Sequence, residues 1–212
     1  MKPRVLLVGA GGHARVILDI LKTNEECEIA GFTSLDKDEK TSAMFNCPWL
    51  GTDYALPHLY STGITNAFVA IGNNQRRKAS TQELKALGFT LINAISHHAV
   101  LSRHATLGLG IAVMPGAIVN AGTEVGDGAI INTNASVDHD CLIGVFSHIA
   151  PGATIAGSVK IREEVLIGVG ARIIPGVTIG NRAIIAAGAV VIHDIASDVM
   201  VAGVPAKLKK WI

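Results

Sequence analysis

The chain has 212 residues, 49% of them hydrophobic but only 4% aromatic, with 17% charged and a formal net charge of +1. So much aliphatic material excludes a disordered chain, and the lack of any dense basic run with interleaved aromatics argues against a nucleic acid partner. No stretch reaches the ~18 uninterrupted apolar residues of a membrane span, and three cysteines, Cys27, Cys47 and Cys141, without paired metal spacing suit free thiols in a reducing cytoplasm.

In chain order, Arg4 to Val8 is a short continuous apolar run of the buried parallel-strand type, ending in the glycine turn Gly9-Ala10-Gly11-Gly12-His13-Ala14. A helical pattern follows at Val16, Ile17, Ile20 and Leu21. Strand, glycine turn, helix is the arrangement that brings a backbone against a phosphate, because the helix start supplies N–H donors and a favourable dipole. Glu28 to Phe32 reads as a second strand with Ser34 and Asp36 just past its end, where a ribose or base lies across such a sheet. Asn66 to Ile71 reads as a third strand, with Ile71, Gly72 and Asn73, then Arg76 and Arg77, on the same rim. A helix is expected from Ser80 to Leu87, stopped by Gly88. These elements make a small Rossmann-like nucleotide-binding domain over residues 1–92. Its size fits a mononucleotide or nucleotide sugar better than a dinucleotide, with Gly11, Gly12, His13, Ala14, Ser34, Asp36, Ile71, Gly72 and Asn73 as candidate substrate contacts.

From Ile95 to Val191, seventeen aliphatic residues recur every six positions without exception. Small or β-branched residues stand two places before most of them, as at Ala117, Thr123, Ala135, Ser147 and Ala189. A period of six matches neither a helix nor one long strand. It matches a solenoid of short strands and turns over residues 93–212, whose coils bury their aliphatic residues only by stacking.

If three hexads close one triangular coil, residues eighteen apart form a column with the spacing of neighbouring strands, about 4.8 Å. One column then reads Ala121, His139, Gly157, Pro175, His193. A histidine beside an exposed glycine N–H pairs a base with an oxyanion donor, the combination that acyl transfer needs. Asp140 follows His139, and Asn132 and His148 lie in the hexads on either side; Asp127, Asp138 and Asp194 read as solvated turn residues. Flat strand faces with Ile or Val near their corners call for partners, and threefold packing of prisms would give clefts walled by two subunits.

The glycine turn, the hexapeptide comb, Asn132, the run Val137-Asp138-His139-Asp140-Cys141 and the closing Ala202-Gly203-Val204-Pro205-Ala206 together resemble the sugar acetyltransferases of the sialic-acid O-acetyltransferase type. That group includes the UDP-N-acetylbacillosamine and GDP-perosamine N-acetyltransferases, and the resemblance spans nearly the entire chain. It implies a left-handed parallel β-helix, the hand coming from the resemblance alone, and a cytoplasmic homotrimer with active sites between subunits. The implied reaction moves an acetyl group from acetyl-CoA, without a metal, to the 4-amino group of a nucleotide-linked 4-amino-4,6-dideoxy sugar for bacterial surface glycans. By that likeness His139 is the general base, Asp140 orients it, and Asn132 and His148 are active-site neighbours. Gly157, Ala202, Gly203 and Pro205 then serve the coenzyme A side. The family often has Glu where this chain has Asp140, a shorter arm. Three alternatives stay open at this point: an O-acetyltransferase of a sialic-acid-like sugar, a hexapeptide-fold metal lyase of the γ-carbonic-anhydrase kind, and a noncatalytic scaffold.

Overall fold

The computed structural model describes residues 2–212, which divide between His97 and His98 into two compact units. The sequence reading puts the boundary after residue 92. Segment 93–97 stays with the first unit, where Asn24 Nδ2 donates to the Ile95 carbonyl at 2.7 Å.

The first unit runs β1 (Arg4–Val8), α1 (Gly12–Asn24), β2 (Glu28–Thr33), α2 (Glu39–Phe45), a 3-10 turn (Asp53–Ala55), α3 (Leu56–Ser61), β3 (Asn66–Val69), α4 (Asn74–Ala86) and β4 (Thr90–Leu91). Its strands form a parallel sheet in the order β2-β1-β3-β4. β1 is interior, and Val5 to Val8 are all buried, which is why it reads as an unbroken apolar run rather than an alternating one. Leu6 and Val8 join a core with Leu56, Leu59, Leu84 and Phe89, while Val5 and Leu7 point to the opposite side of the sheet. The chain order switches direction at β1, so the carboxyl ends of β1, β2 and β3 meet at a crevice suited to a nucleotide.

Two differences from the sequence reading have physical causes. α4 begins at Asn74, six residues before the expected Ser80, because Asn73 caps it: Asn73 Oδ1 accepts the Arg76 N–H at 3.0 Å. Its first turns, Asn74-Gln75-Arg76-Arg77, hide this start by having no apolar residue at all. α2 also escaped notice, since of its seven residues only Thr41 is buried and no apolar period marks it.

The second unit is a three-sided solenoid of two-residue strands. The first face stacks Thr106–Leu107, Glu124–Val125, Leu142–Ile143, Lys160–Ile161 and Thr178–Ile179. The second stacks Ala112–Val113, Ile130–Ile131, His148–Ile149, Leu166–Ile167 and Ile184–Ile185; the third stacks Val100–Leu101, Ile118–Val119, Ser136–Val137, Thr154–Ile155, Arg172–Ile173 and Val190–Val191. All neighbours are parallel and eighteen residues apart, as in Val125↔Ile143, Ile131↔Ile149 and Val137↔Ile155. The second residue of each strand is the aliphatic tooth, and from Val113 to Val191 none is more than 3% exposed. The small residues two places earlier, such as Ala117, Thr123, Ala135, Ser147 and Ala189, are equally buried. Each full Ile or Val so buried contributes on the order of 1.5–3 kcal/mol, and only stacking removes it from water. Val199–Ala202 extends the second face and the antiparallel strand Lys207–Trp211 closes that edge. No helix among the described residues is long and apolar enough to cross a membrane.

Candidate active site

The chain passes in turn along the first, second and third faces, so each coil has three corners. His139 stands at the corner where the third face gives way to the first, after Ser136–Val137 and before Leu142–Ile143. One coil on, at the same corner, is Gly157. A Cβ built on Gly157 would lie 2.5 Å from both Cε1 and Nε2 of His139 and 3.1 Å from Cδ2. The imidazole therefore lies directly against the Gly157 backbone, and any side chain there would push the ring from this position. Expected as exposed, Gly157 is instead buried beneath the ring. Inter-coil bonds run from the Ala156 N–H to Ile173 O and from the Ser158 N–H to His139 O, passing over the Gly157 N–H, which has no hydrogen bond among the described residues.

His139 is held by its neighbours on both sides. Its Nδ1 faces Asp140 Oδ2 at 2.8 Å, and its backbone N–H donates to Asp138 Oδ1 at 2.8 Å. Asp140 reaches the ring from a left-handed turn position, φ 57°, with its own N–H donating to Ala121 O at 3.0 Å. The shorter arm of Asp is thus sufficient to orient the ring. The Asp140 hydrogen bond, helped by the charge of Asp138, raises the His139 pKa above its ordinary value. With Nδ1–H donated to Asp140, the lone pair is left on Nε2, the atom over Gly157. The side chain of His139 is 59% exposed, so the proton acceptor is open to a ligand.

Asn132 and His148 also meet, Asn132 Nδ2 to His148 Nε2 being 2.9 Å. They are not at the His139 corner. Asn132 follows Ile130–Ile131 of the second face and precedes the third, and His148 points outward from the second face, so this pair occupies the preceding corner. The closing loop belongs there too: Ala202 ends the strand on the second face, Gly203 O accepts the Val190 N–H at 3.1 Å, and the Ala206 N–H donates to Val190 O at 2.8 Å. Pro205 lies within that same loop. The expected residues thus fall into two groups on one chain: His139, Asp140 and Gly157 at one corner, and Asn132, His148, Ala202, Gly203 and Pro205 around another. Among the described residues no group of three or more His, Cys, Asp or Glu side chains is arranged to hold a metal ion.

In the first unit a groove of about 640 Å³ is lined by Gly11, Ser34, Asp36 and Ile71 of the expected set. Gly12, His13 and Ala14 form the first turn of α1 instead, with Ala14 fully buried, and Gly72 and Asn73 lead into α4. Gly9, at φ 111°, could carry no side chain, since a Cβ would come 2.8 Å from Ala70 O; β1 and β3 approach too closely. The N-cap of α1 is Gly11, which offers no side-chain cap, and the first turn has no acidic residue, which leaves the helix's amino end available to an anion. The Ser34 hydroxyl is spent locally on Asp36 O at 2.6 Å. Sequence reasoning missed Lys37, Asp53 and Ser80 in this groove, and separated Arg76 from Arg77 less sharply than the fold does. Arg76 lines the groove. Arg77 is 1% exposed and donates to Ile71 O, Gly72 O and Asn74 Oδ1 at 2.8–3.0 Å, fixing the loop from below.

The PglD N-terminal domain family matches residues 4–84, and the bacterial transferase hexapeptide (six repeats) family matches residues 158–193. PerB from Caulobacter crescentus, whose crystal structure contains CoA and GDP-perosamine, is 43% identical over 99% of this chain and 99% of its own, with a TM-score of 0.93. The chain belongs to the PerB- and PglD-type family of hexapeptide-repeat sugar acetyltransferases. Within that family, the acetyltransferase domain of PglB from Neisseria gonorrhoeae FA1090, in complex with acetyl coenzyme A, is 37% identical over 99% of this chain and 100% of that one, TM-score 0.90. WeeI from Acinetobacter baumannii AYE, at 22% identity and a TM-score of 0.84, shares the fold. The expected architecture, an α/β domain followed by a hexapeptide solenoid, is therefore that of the family.

Proposed function

We propose that the chain transfers the acetyl group of acetyl-CoA to the 4-amino group of a nucleotide-linked 4-amino-4,6-dideoxy sugar. The observation that carries this reading is the exposed His139 ring, oriented by Asp140 at Nδ1 and laid over Gly157 at Nε2. Similarity over nearly the full length to PerB, which binds CoA and GDP-perosamine, supports the same donor and a nucleotide-linked amino sugar as acceptor.

The chemistry follows from the groups. The sugar amine attacks the thioester carbonyl, a C–N bond forms, the C–S bond breaks, and the amine proton passes to Nε2 of His139 and on to the departing thiolate. A neutral imidazole suits this step at near-neutral pH, and the Gly157 N–H supports the developing oxyanion. The groove at the carboxyl ends of β1, β2 and β3 takes the nucleotide, its phosphates toward the amino end of α1 and Arg76.

The two groups of expected residues stand on different corners of one prism, so we read each as half of a site, completed by the His139 corner of one copy against the Asn132–His148 corner of the next. A homotrimer closes that pattern. Val100 and Ile118, 62% and 36% exposed on the third face, supply apolar area for such packing. Free thiols at Cys27, Cys47 and Cys141 suit a cytoplasmic enzyme.

The test is thiol release from acetyl-CoA with UDP-, GDP- and dTDP-linked 4-amino sugars and with hydroxyl-only acceptors. His139→Ala lowers turnover by about 10²-fold or more with folding unchanged. Mixed oligomers of His139→Ala and Asn132→Ala chains recover activity that neither has alone, whereas a monomeric active enzyme or failure to complement sinks the shared site. Transfer to hydroxyl rather than amine acceptors sinks N-acetylation.

A further inference from the structure

Asp138, read from the sequence as a solvated turn residue, is engaged from the preceding coil. Asn120, eighteen residues earlier and at the same corner, donates from Nδ2 to Asp138 Oδ1 at 2.9 Å. The same oxygen accepts the backbone N–H of His139 at 2.8 Å. Beneath, the buried Thr123 hydroxyl donates to Asp138 O at 2.7 Å and accepts the Cys141 N–H at 3.2 Å. Both ends of the turn carrying the base are thereby fixed by the previous coil, Thr123 from inside and Asn120 from outside.

We propose that Asn120 and Asp138 are positioning residues for the base: the amide fixes the carboxylate, the carboxylate fixes the His139 backbone, and the ring is held over Gly157 as a result. This deepens the acetyltransferase reading and rests on it. The next corner has the same inner staple, the Ser147 hydroxyl donating to Arg162 O at 2.7 Å and accepting the Val165 N–H at 3.1 Å, and there the outer amide, Asn181 Oδ1, accepts the Glu163 N–H directly at 3.1 Å, whereas at the His139 corner a carboxylate stands between the Asn120 amide and the turn backbone. The added Asn–Asp layer stands directly behind the exposed imidazole. Its charge has a second effect. The charged groups at His139 are Asp138 and Asp140 on its own turn, while the coils on either side present Ala121, Gly122, Gly157 and Ser158, none of them titratable. Asp138 therefore adds to Asp140 in favouring the imidazolium, while its own carboxyl is held below the usual range, first by Asn120 and then by the His139 N–H.

The experiment combines the pH dependence of kcat and KM with an NMR titration of the His139 ring in Asp138→Ala, Asp138→Asn, Asn120→Ala and Thr123→Val. Asp138→Ala lowers both kcat, by about tenfold to a hundredfold, and the ring pKa, with KM for acetyl-CoA within about twofold. Asp138→Asn keeps an acceptor oxygen but no charge, so kcat on the alkaline plateau is rescued while the acid limb and the ring pKa move down. Asn120→Ala lowers kcat, and Thr123→Val lowers the melting temperature with the ring pKa unmoved. Unchanged kcat and ring pKa in Asp138→Ala and Asn120→Ala overturn the inference while leaving His139 as base; full activity in His139→Ala removes the base assignment instead, and no acetyl transfer by the unsubstituted chain to any nucleotide-linked amino sugar overturns the acetyltransferase reading. The titration reads the clamp without any turnover.

Discussion

Gly157→Ala isolates the contact on which the base depends. The added methyl would sit 2.5 Å from Cε1 and Nε2 of His139, and ordinary carbon contacts begin near 3.5 Å. The ring must therefore retreat by about 1 Å. Gly157 does not adopt a positive φ, so alanine is compatible with its backbone, and His139 is exposed enough to swing away. Stability should change by less than about 1 kcal/mol, since the entropy gained by replacing glycine offsets part of the contact. A displacement of that size at a reacting atom costs about 10²-fold. Thiol release at saturating acetyl-CoA, paired with a thermal melt, reads both quantities. Gly176→Ala is the control: at φ 76° with open space around it, it should lose about 1–2 kcal/mol of stability to backbone strain and keep its kcat. If Gly157→Ala turned over at half the wild-type rate or better while folded, the argument that the ring must lie on this glycine would be refuted.

Asp140→Asn bears on the pH profile. A base works when neutral, so a raised His139 pKa puts the acid limb of kcat/KM above about 6.5, with activity rising as pH climbs through it; removing the Asp140 charge moves that limb down and lowers the plateau as ring orientation is lost. A limb that stays put would separate Asp140 from the base. Arg77→Ala leaves two loop carbonyls without their donor and should cost the first unit about 3 kcal/mol and raise KM for the nucleotide sugar more than for acetyl-CoA; equal KM changes would count against a nucleotide groove there. Ile149→Ala, in a tooth stacked between Ile131 and Ile167, should cost about 2–5 kcal/mol in chemical denaturation, whereas a loss under 1 kcal/mol would mean the coil collapses around the gap.

The solenoid was legible because its period is set by sterics alone: each coil must put an aliphatic residue and a small one inside, and both recur in the chain. The same arithmetic that set Gly157 beside His139 also separates Asn132 from it, since seven residues exceed one hexad and reach the neighbouring corner. Asp138 escaped for a different reason. A carboxylate in a turn looks solvated until the residue eighteen places before it, Asn120, is seen to be its partner. In the first unit, Arg77 was hidden because a buried guanidinium has no sequence signature; only the carbonyls it satisfies reveal it. Helices α2 and α3 were short and held by tertiary contacts, so local pattern carried little of their signal.

Coils that repeat every eighteen residues make length along this prism a quantised variable. Duplicating one whole repeat downstream of Gly157 would lengthen the axis by a single strand spacing, about 4.8 Å, and leave every corner pointing as before. A lone inserted residue, by contrast, would interrupt the stacking of all later rungs. Such a scaffold can drift in reach by whole steps while its reactive ring stays fixed, so related chains should differ in height far more readily than in the angle at which they present that ring.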